Sequence, residues 1–237
     1  MNTLIIDTST ELSILVLATD NKIFSIIENV GTSHSTTMFN SISKLFAKSG
    51  TSINDVDLVA AGIGPGSFTG IRIAVSTARM FAQLLKIPLI GIQSHDFFAS
   101  SFNSEKFSHK LVAFDAKKNR VYGALYSADP EFPETVVQAG DYKINEITEQ
   151  IQKGAHIQLI GNGCSKYLDE LTVQINSKES TCEYTENFIP NEEYIFKLVL
   201  KKYRENPELY ADYELTVPDY ARKSDAETAL NNRKKGY

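Results

Sequence analysis

A glycine-rich stretch at residues 62–70, G-I-G-P-G-S-F-T-G, constrains the fold of this chain more than any other segment. Glycine at four of nine positions indicates backbone conformations or close approaches that larger residues do not tolerate. The apolar residues before it are typical of a buried strand, and the pattern after it predicts a helix over 69–85. The spacing matches neither the P-loop nor the dinucleotide-binding fingerprint, so an anion-binding turn and a purely structural turn both stay open.

The helix predicted over 69–85 has an apolar surface too wide to be covered by one sheet. Its narrow polar stripe consists of Arg72, Ser76, Arg79 and Gln83. Apolar residues fill an arc of about 220°, whereas a surface helix usually buries an arc of about 100°. The side that needs a second cover holds Ile73, Thr77, Met80 and Leu84. That cover is either another helix of the same chain or a helix of a partner protein, and periodicity leaves both open.

Composition describes an ordinary globular chain and excludes two classes of protein. The 237 residues carry a formal net charge of −5, whereas a protein that holds nucleic acid unaided is usually basic. No apolar run approaches the ~18 residues of a membrane span, and the first residues lack the basic segment of a signal peptide. Cys164 and Cys182 have no metal-binding or redox spacing. We therefore expect a cytoplasmic protein that does not bind RNA or DNA by itself.

The remaining pattern predicts an α/β fold with two similar halves. The first half has strands at 3–7, 12–18, 22–29, 57–63 and 88–92 and helices at 35–49, 69–85 and 94–101. The second half has strands at 111–115, 121–126, 135–139 and 157–160 and helices at 145–152, 165–171 and 192–204. Because the order of elements partly repeats, we predict a duplicated fold with lobes at 1–104 and 105–206, separated near the polar stretch 103–109. The tail, 207–237, is expected to return to the first lobe and to fray at its end, over 224–237.

Few residues have the pattern of a catalytic site. Asp7 and Asp115 each end a predicted strand, where an aspartate either faces a cleft and holds Mg²⁺ through water or is a solvated turn residue. Ser67 lacks the spacing of a nucleophile elbow and fits a helix cap better. Arg72 and Arg79 either reach a phosphate or a partner carboxylate, or face solvent. None of the four histidines lies three to five residues from another, so the sequence has no helical metal-binding pair.

Six short motifs are spread along the chain. They are residues 5–10, I-I-D-T-S-T; His34-Ser35; residues 64–72, G-P-G-S-F-T-G-I-R; Asp115-Ala116-Lys117 with Val121-Tyr122; Gly161-Asn162-Gly163; and residues 218–222, P-D-Y-A-R. Together they closely resemble the bacterial TsaB (YeaZ) family, with the third motif the most specific. Three positions depart from the family's usual pattern. Ala74 and Lys223 replace a frequent glycine and arginine, and Asn162 replaces a commoner aspartate.

The resemblance implies an actin/Hsp70-like (ASKHA) ATPase fold of two lobes, each a mixed β-sheet flanked by helices. It implies a non-catalytic subunit that forms a heterodimer with the catalytic TsaD subunit, on which the ATPase TsaE docks. The complex transfers a threonylcarbamoyl group from its adenylate to N6 of adenosine 37 in tRNA, giving threonylcarbamoyladenosine (t6A). The metal is expected on a pair of histidines of the partner, and ATP or ADP at the interface of the complex. No cofactor is expected to bind this chain tightly, and tRNA is reached through the complex.

Three groups of site residues follow from the pattern and the resemblance together. The expected partner interface, which a homodimer would use when the partner is absent, consists of Met38, Ile42, Ile73, Thr77, Met80, Phe81 and Leu84. The residues expected to face a nucleotide are Asp7, Thr8, Ser9, Gly161, Asn162 and Gly163. The expected structural loop consists of Gly64, Pro65, Gly66, Ser67, Phe68, Thr69, Gly70 and Arg72.

Three other functions are also considered. A small-molecule kinase of the same fold would use Asp7 to hold the metal and Asp115 as the base, and would bind and turn over ATP alone. A glycoprotease, suggested by the family's older labels, would need a metal pair or a nucleophile beside a base, and the sequence has neither. A scaffold without any nucleotide contact would share the partner interface but not the nucleotide-facing residues.

Overall fold

The structure is a computed structural model that describes residues 1–20, 22–31, 34–100, 106–129 and 132–221. The frayed end predicted at 224–237, the motif residue Arg222 and the first part of the polar stretch, 103–105, lie outside the described residues. Within the described residues the chain forms two five-stranded sheets with helices on their faces.

The first sheet has the strand order β3-β2-β1-β4-β5. Its strands are β1 (Thr3–Asp7), β2 (Leu12–Ala18), β3 (Ile23–Asn29), β4 (Leu58–Gly62) and β5 (Leu89–Ile92). The first three strands form an antiparallel meander, whereas β4 runs parallel to β1 and β5 runs parallel to β4. The helices that accompany this sheet are α1 (His34–Ser49), α2 (Phe68–Leu85) and α3 (Ser94–Ser100). We call the sheet and these helices the first lobe.

The second sheet repeats this topology with the strand order β10-β9-β6-β7-β8. Its strands are β6 (His109–Asp115), β7 (Arg120–Ser127), β8 (Thr135–Lys143), β9 (His156–Ile160) and β10 (Thr181–Tyr184). Again the first three strands are antiparallel and the last two are parallel. The helices are α4 (Ile144–Thr148), α5 (Asn162–Lys166), α6 (Leu168–Asn176) and α7 (Glu192–Glu205). We call this sheet with α4–α6 the second lobe. The predicted α/β fold of two lobes, each with a mixed sheet, is confirmed.

The structure differs from the sequence prediction mainly after residue 135. The sequence pattern does not predict β10, because its four residues alternate between exposed and half-buried positions at a sheet edge. The helix predicted at 165–171 is two helices, α5 and α6, which meet at Tyr167, where φ of −113° and ψ of 27° depart from helical values. The strand β8 is four residues longer than predicted, and α4 ends at Thr148 rather than at 152.

In the described part of the chain, the core consists of three clusters of buried side chains. Because side chains alternate along a strand, Ile5 of β1 enters the cluster between the two sheets, while Leu4 and Ile6 enter the outer cluster under α1 and α2. The outer cluster of the second lobe lies under α4–α6. Helix α7 follows the second lobe in sequence but packs against α3 and the first sheet. The middle cluster therefore joins the two lobes.

His95 of α3 is a fully buried titratable residue at the junction of the lobes. Its ring lies 4.4 Å from the ring of Phe114, and its Nε2 lies 2.9 Å from the carbonyl oxygen of Tyr122. Burial lowers the pKa of His95 from 6.5 to about 4, although that hydrogen bond and the charges of Asp96 and Asp219 act in the opposite direction. The imidazole is therefore neutral in the folded protein near neutral pH.

We expect acid to destabilise the protein through His95. The unfolded residue binds a proton below about pH 6.5 and the folded one only near pH 4, so stability falls as the pH is lowered through this window. The loss at pH 4 is about 3 kcal/mol. Thermal unfolding of the wild type and of His95→Gln between pH 8 and pH 4 measures this loss. A variant whose stability falls as steeply as that of the wild type would assign the acid sensitivity to other groups.

Candidate functional site

The glycine-rich stretch joins β4 to α2 and packs against the loop between β1 and β2. The N–H of Ser67 donates to the carbonyl oxygen of Ser9 at 2.7 Å, and Thr8 Oγ1 donates to the carbonyl oxygen of Gly70 at 2.6 Å. A Cβ added to Gly66 would lie 2.3 Å from Ser9 O, and one added to Gly70 would lie 1.8 Å from Thr8 O. Gly66 and Gly70 are therefore required because the backbone of the glycine-rich stretch touches the backbone of the β1–β2 loop at these positions.

Hydrogen bonds within the chain occupy several N–H groups of this stretch. Ser67 caps α2, since its Oγ accepts from the N–H of Gly70 at 3.3 Å and its carbonyl oxygen accepts from that of Ile71 at 2.9 Å. The helix begins at Phe68, one residue before the predicted start. The N–H of Gly64 donates to Ser94 Oγ at 3.1 Å. Because these donors are satisfied internally, the geometry favours a structural turn over an anion-binding one.

The chain itself covers part of the wide apolar face of α2. Four residues expected at the partner interface are buried in the first lobe instead: Met38, Ile42, Thr77 and Phe81. They are buried because α1 packs beside α2 over the first sheet. The same-chain alternative therefore accounts for this side of the helix, and these four residues offer a partner little surface.

A strip of α2 remains exposed. Met80 exposes 42% and Leu84 68% of their surface, and Ile73 on the same face is half-buried. Phe39 of α1, which is not among the residues expected at the partner interface, is also exposed, by 53%. Its position at the edge of the apolar arc of α1 is the signal that favours exposure. We call Phe39, Ile73, Met80 and Leu84 the exposed apolar residues of α1 and α2.

The tail contacts the two arginines of the polar stripe of α2. Arg79 Nη2 donates to the carbonyl oxygen of Glu214 at 2.6 Å, and Arg72 Nε donates to Tyr220 Oη at 2.8 Å. The guanidinium carbon of Arg72 also lies 4.0 Å from the ring centroid of Phe68. Both arginines therefore have partners within the chain, which neither sequence interpretation of them included.

Further hydrogen bonds attach the tail to the first lobe. Thr216 Oγ1 donates to the carbonyl oxygen of Leu89 at 3.1 Å, and the N–H of Asp219 donates to that of Ile63 at 2.7 Å. The Asp219 carboxylate accepts from Gln93 Nε2 at 2.8 Å. The described part of the tail thus lies along β5 and the beginning of α2.

A cleft of about 410 Å³ lies between the lobes. The first lobe contributes Thr10, Glu11, Leu12, Ile27, Asn29 and Phe98 to it. The second lobe contributes Phe114, Gly161, Asn162, Ser165, Lys166 and Tyr184, and the segment after it adds Thr185, Asn187, Phe188 and Ile189. Of the six residues expected to face a nucleotide, Gly161 and Asn162 line this cleft.

The other four expected nucleotide-facing residues do not line the cleft. Asp7, Thr8 and Ser9 are buried in the first lobe, where Asp7 Oδ1 accepts from the N–H of Ser9 at 2.6 Å. The Asp7 carboxyl packs so closely on β4 that a Cβ on Gly62 would lie 2.3 Å from its Cγ. Gly163 is buried against β6, where a Cβ would lie 2.8 Å from the carbonyl carbon of Phe114. These four residues do not reach the cleft because tertiary packing buries them, and the periodicity of the sequence does not predict that burial.

Asp115 is held by two lysines at the carboxyl end of β6. Its Oδ2 accepts from Lys117 Nζ and Lys166 Nζ, both at 2.8 Å, and its Oδ1 accepts from Tyr167 Oη at 3.2 Å. Burial raises the pKa of this carboxyl, but the hydrogen bonds from the two lysines prevail and hold it at about 2. With Asp115 paired and Asp7 buried, the two aspartates do not fit a water-bridged Mg²⁺ site of the kinase type.

The described residues contain no group of three or more His, Cys, Asp or Glu side chains placed to hold a metal ion. None of the helices in the ranges given above is long and apolar enough to cross a membrane. Cys164 and Cys182 are free thiols, and burial raises the pKa of Cys164 to about 12 and that of Cys182 above its usual value. Neither thiol is therefore activated as a nucleophile.

Comparison with known proteins decides the family. The family model described as TsaD, tRNA N6-adenosine threonylcarbamoyltransferase, matches residues 22–230. The chain is 29% identical to the tRNA threonylcarbamoyladenosine biosynthesis protein TsaB of Buchnera aphidicola, over 79% of this chain and 90% of that protein. It is 27% identical to the protein of the same name from Bacillus subtilis, over 96% of both chains. The chain belongs to the TsaB (YeaZ) family.

A solved structure of the same family shows the same fold. The chain superimposes on YeaZ from Pseudomonas aeruginosa with a TM-score of 0.77 and 21% sequence identity, over 92% of this chain and 99% of that one. The two-lobed, actin-like ASKHA fold that the motifs imply for a TsaB family member is therefore confirmed. Among the described residues, the exposed apolar residues of α1 and α2 and the interlobe cleft are two surfaces of this fold that a function must explain.

Proposed function

We propose that this chain is the non-catalytic subunit of a t6A-forming complex. It binds the catalytic TsaD subunit, and the pair transfers threonylcarbamoyl from its adenylate to N6 of adenosine 37 in tRNA. Relatives in the family carry the name of threonylcarbamoyladenosine biosynthesis proteins, which supports the pathway. The exposed apolar side chains of α2 support the role within it, because they suit burial by a partner and carry no group that could take part in a reaction.

The exposed apolar residues suit burial by another helix. A large apolar side chain contributes roughly 1.5–3 kcal/mol when it is moved from water to a buried site. Met80 and Leu84 lie one turn apart on α2 and are flanked by the half-buried Ile73, so one partner helix can cover all three. We propose that TsaD provides this helix, and that a second copy of the chain takes its place when TsaD is absent.

The chemistry is proposed to lie on the partner. The sequence has no pair of histidines at helical metal-binding spacing, and its two candidate aspartates are occupied within the chain. We propose that the metal is held by TsaD and that ATP or ADP binds at the interface of the complex, with no cofactor held tightly by this chain. The ATPase TsaE docks on the pair, tRNA is reached through the complex, and the site of action is the cytoplasm.

The interlobe cleft supports one competing function, a small-molecule kinase of the same fold. The phenylalanines that line the cleft and Lys166 are compatible with a nucleotide. However, Asp7 is buried against β4 and Asp115 is paired with Lys166, so neither carboxylate is available to hold a metal or to act as a base. Calorimetry of the isolated chain with ATP and Mg²⁺ separates the two functions. We expect no tight binding and no hydrolysis. Tight binding with turnover would replace the proposed function with the kinase.

A further inference from the structure

The segment from residue 30 to residue 95 is basic, although the whole chain is acidic. It holds five lysines and arginines but only two of the 29 acidic residues, whereas the chain has a formal net charge of −5. Both acids are occupied locally: Asp55 Oδ2 accepts from the N–H of Ser52 at 3.1 Å, and Asp57 Oδ2 accepts from the N–H of Asn2 at 2.7 Å. The two long helices of this segment, α1 and α2, contain no acidic residue.

The basic residues of α1 and α2 keep their charges uncompensated. Lys44 and Lys48, one turn apart on α1, are both exposed. On α2, Arg72 is exposed and Arg79 is half-buried, and they donate to a tyrosine hydroxyl and a main-chain carbonyl of the tail, which carry no charge. The ion pairs within the described part of the chain include none of these four side chains. We call these four residues the basic rim.

The basic rim lies beside the exposed apolar residues of α1 and α2 and not among them. At about 100° per residue, Arg72 and Arg79 lie about 80° and about 100° from Met80 around α2. The two lysines of α1 lie about 140° and about 180° from Phe39 around that helix. The exposed surface of the two helices therefore combines apolar side chains with flanking positive charges, which is the usual arrangement of a protein interface with an apolar centre and a polar rim.

We propose that the partner on this surface surrounds its apolar helix with acidic side chains, and that the basic rim selects this partner over a second copy of the chain. The inference rests on the proposed function in taking TsaD as that partner. A two-fold interface brings the same surface together from both copies, so a second copy would place one basic rim against another. Like charges across an interface disfavour association, whereas opposite charges accelerate it.

The apolar residues and the basic rim therefore have different roles. Burial of the apolar side chains stabilises either complex, because it does not depend on which protein supplies the other apolar surface. The charges distinguish the two complexes, because only an acidic partner neutralises them. RNA would pair with the charges but would leave the apolar side chains exposed, so an acidic protein surface accounts for more of what the two helices present.

Lys44→Glu/Lys48→Glu in the full chain tests the basic rim, and Lys197→Glu/Lys201→Glu is its matched control. Each pair consists of exposed lysines four residues apart on one helix, α1 or α7. Calorimetry measures the affinity for TsaD, and analytical ultracentrifugation measures self-association. Both are carried out at about 20 mM and about 300 mM salt, between which the Debye length falls from about 20 Å to about 6 Å. Thermal unfolding shows whether each variant is folded.

We expect salt to act in opposite directions on the two complexes of the wild-type chain. Binding of TsaD should weaken about tenfold at the higher salt, whereas self-association should strengthen, since salt screens attraction in one complex and repulsion in the other. At low salt Lys44→Glu/Lys48→Glu should bind TsaD about tenfold more weakly than the wild type. The same variant should self-associate more strongly, because its glutamates face the arginines of the second copy. The control should leave both affinities within about twofold.

Four results are decisive. A salt response of the same sign in both complexes would overturn the inference, and so would equal affinities of the α1 variant and the control for TsaD. Binding of the wild type, but not of the α1 variant, to phosphatidylglycerol vesicles would also overturn it and would assign the basic rim to a membrane surface. If the wild-type chain does not bind TsaD at either salt concentration, the proposed function fails. TsaD binding that is insensitive to salt and to both charge reversals removes the inference and leaves that function standing.

Discussion

Leu84→Glu is expected to abolish binding of the TsaD subunit while the chain stays folded. Leu84 is 68% exposed, so a carboxylate at this position faces water in the free chain. In the complex that carboxylate would be buried without a partner, which costs several kcal/mol. We expect an affinity at least about 100-fold lower. Met80→Glu, one helical turn earlier, is expected to have the same effect.

The matched control for this prediction is Val173→Glu. Val173 of α6 is 69% exposed, so the same acid replaces an apolar side chain of nearly the same exposure in the other lobe. Size-exclusion chromatography and calorimetry with TsaD measure assembly, and thermal unfolding shows whether each variant folds. If Leu84→Glu assembles as well as Val173→Glu does, the exposed strip of α2 is not the interface. Leu84→Glu should also weaken the homodimer that we propose for the isolated chain, because that dimer uses the same surface.

Gly70→Ala is expected to lower the free energy of unfolding by about 3 kcal/mol or more. Its Cβ would lie 1.8 Å from the carbonyl oxygen of Thr8, which is backbone and belongs to the loop that follows β1. Relief requires moving α2 away from that loop, which also breaks the hydrogen bond from Thr8 Oγ1 to the Gly70 carbonyl oxygen. Overpacking of this kind is among the most destabilising effects of a single substitution.

Gly154→Ala separates this steric effect from backbone strain. Gly154 has a φ of +76° but no heavy atom within 4 Å of an added Cβ, so only conformational strain opposes alanine there, at about 1 kcal/mol. Urea unfolding of the two variants gives both free energies. Similar losses in the two would show that the contact between the glycine-rich stretch and the β1–β2 loop does not require glycine.

The fold could be predicted because its signals are local. The apolar run from Leu4 to Ile6 predicts a buried strand, and all three residues are buried in β1. The glycine-rich stretch and its flanking residues predict a strand, a turn and a helix, in the order in which β4 and α2 occur. The repeated order of elements reflects two sheets with the same topology. The weak signals are those of β10, whose half-exposed edge position gives little apolar pattern, and of the break at Tyr167.

The surface of α2 could not be assigned from the sequence because distant segments decide it. The width of the apolar arc on α2 indicates how much of the helix surface must be covered, but it does not indicate which element covers it. Thr77 and Phe81 are buried within the first lobe, whereas Met80 and Leu84 stay exposed, and the helical pattern treats all four alike. The partners of the arginines on this helix lie in the tail, more than a hundred residues away.

The measurement that tests the central claim most directly is threonylcarbamoyl transfer to tRNA. It compares this protein alone, TsaD alone and the two together, with TsaE present throughout. We predict transfer only when both subunits are present, because the proposed function gives this chain a partner surface and gives TsaD the reaction site. Transfer by this protein without TsaD would contradict the account and would return attention to Asp7, Asp115 and Ser67 as residues of an active site.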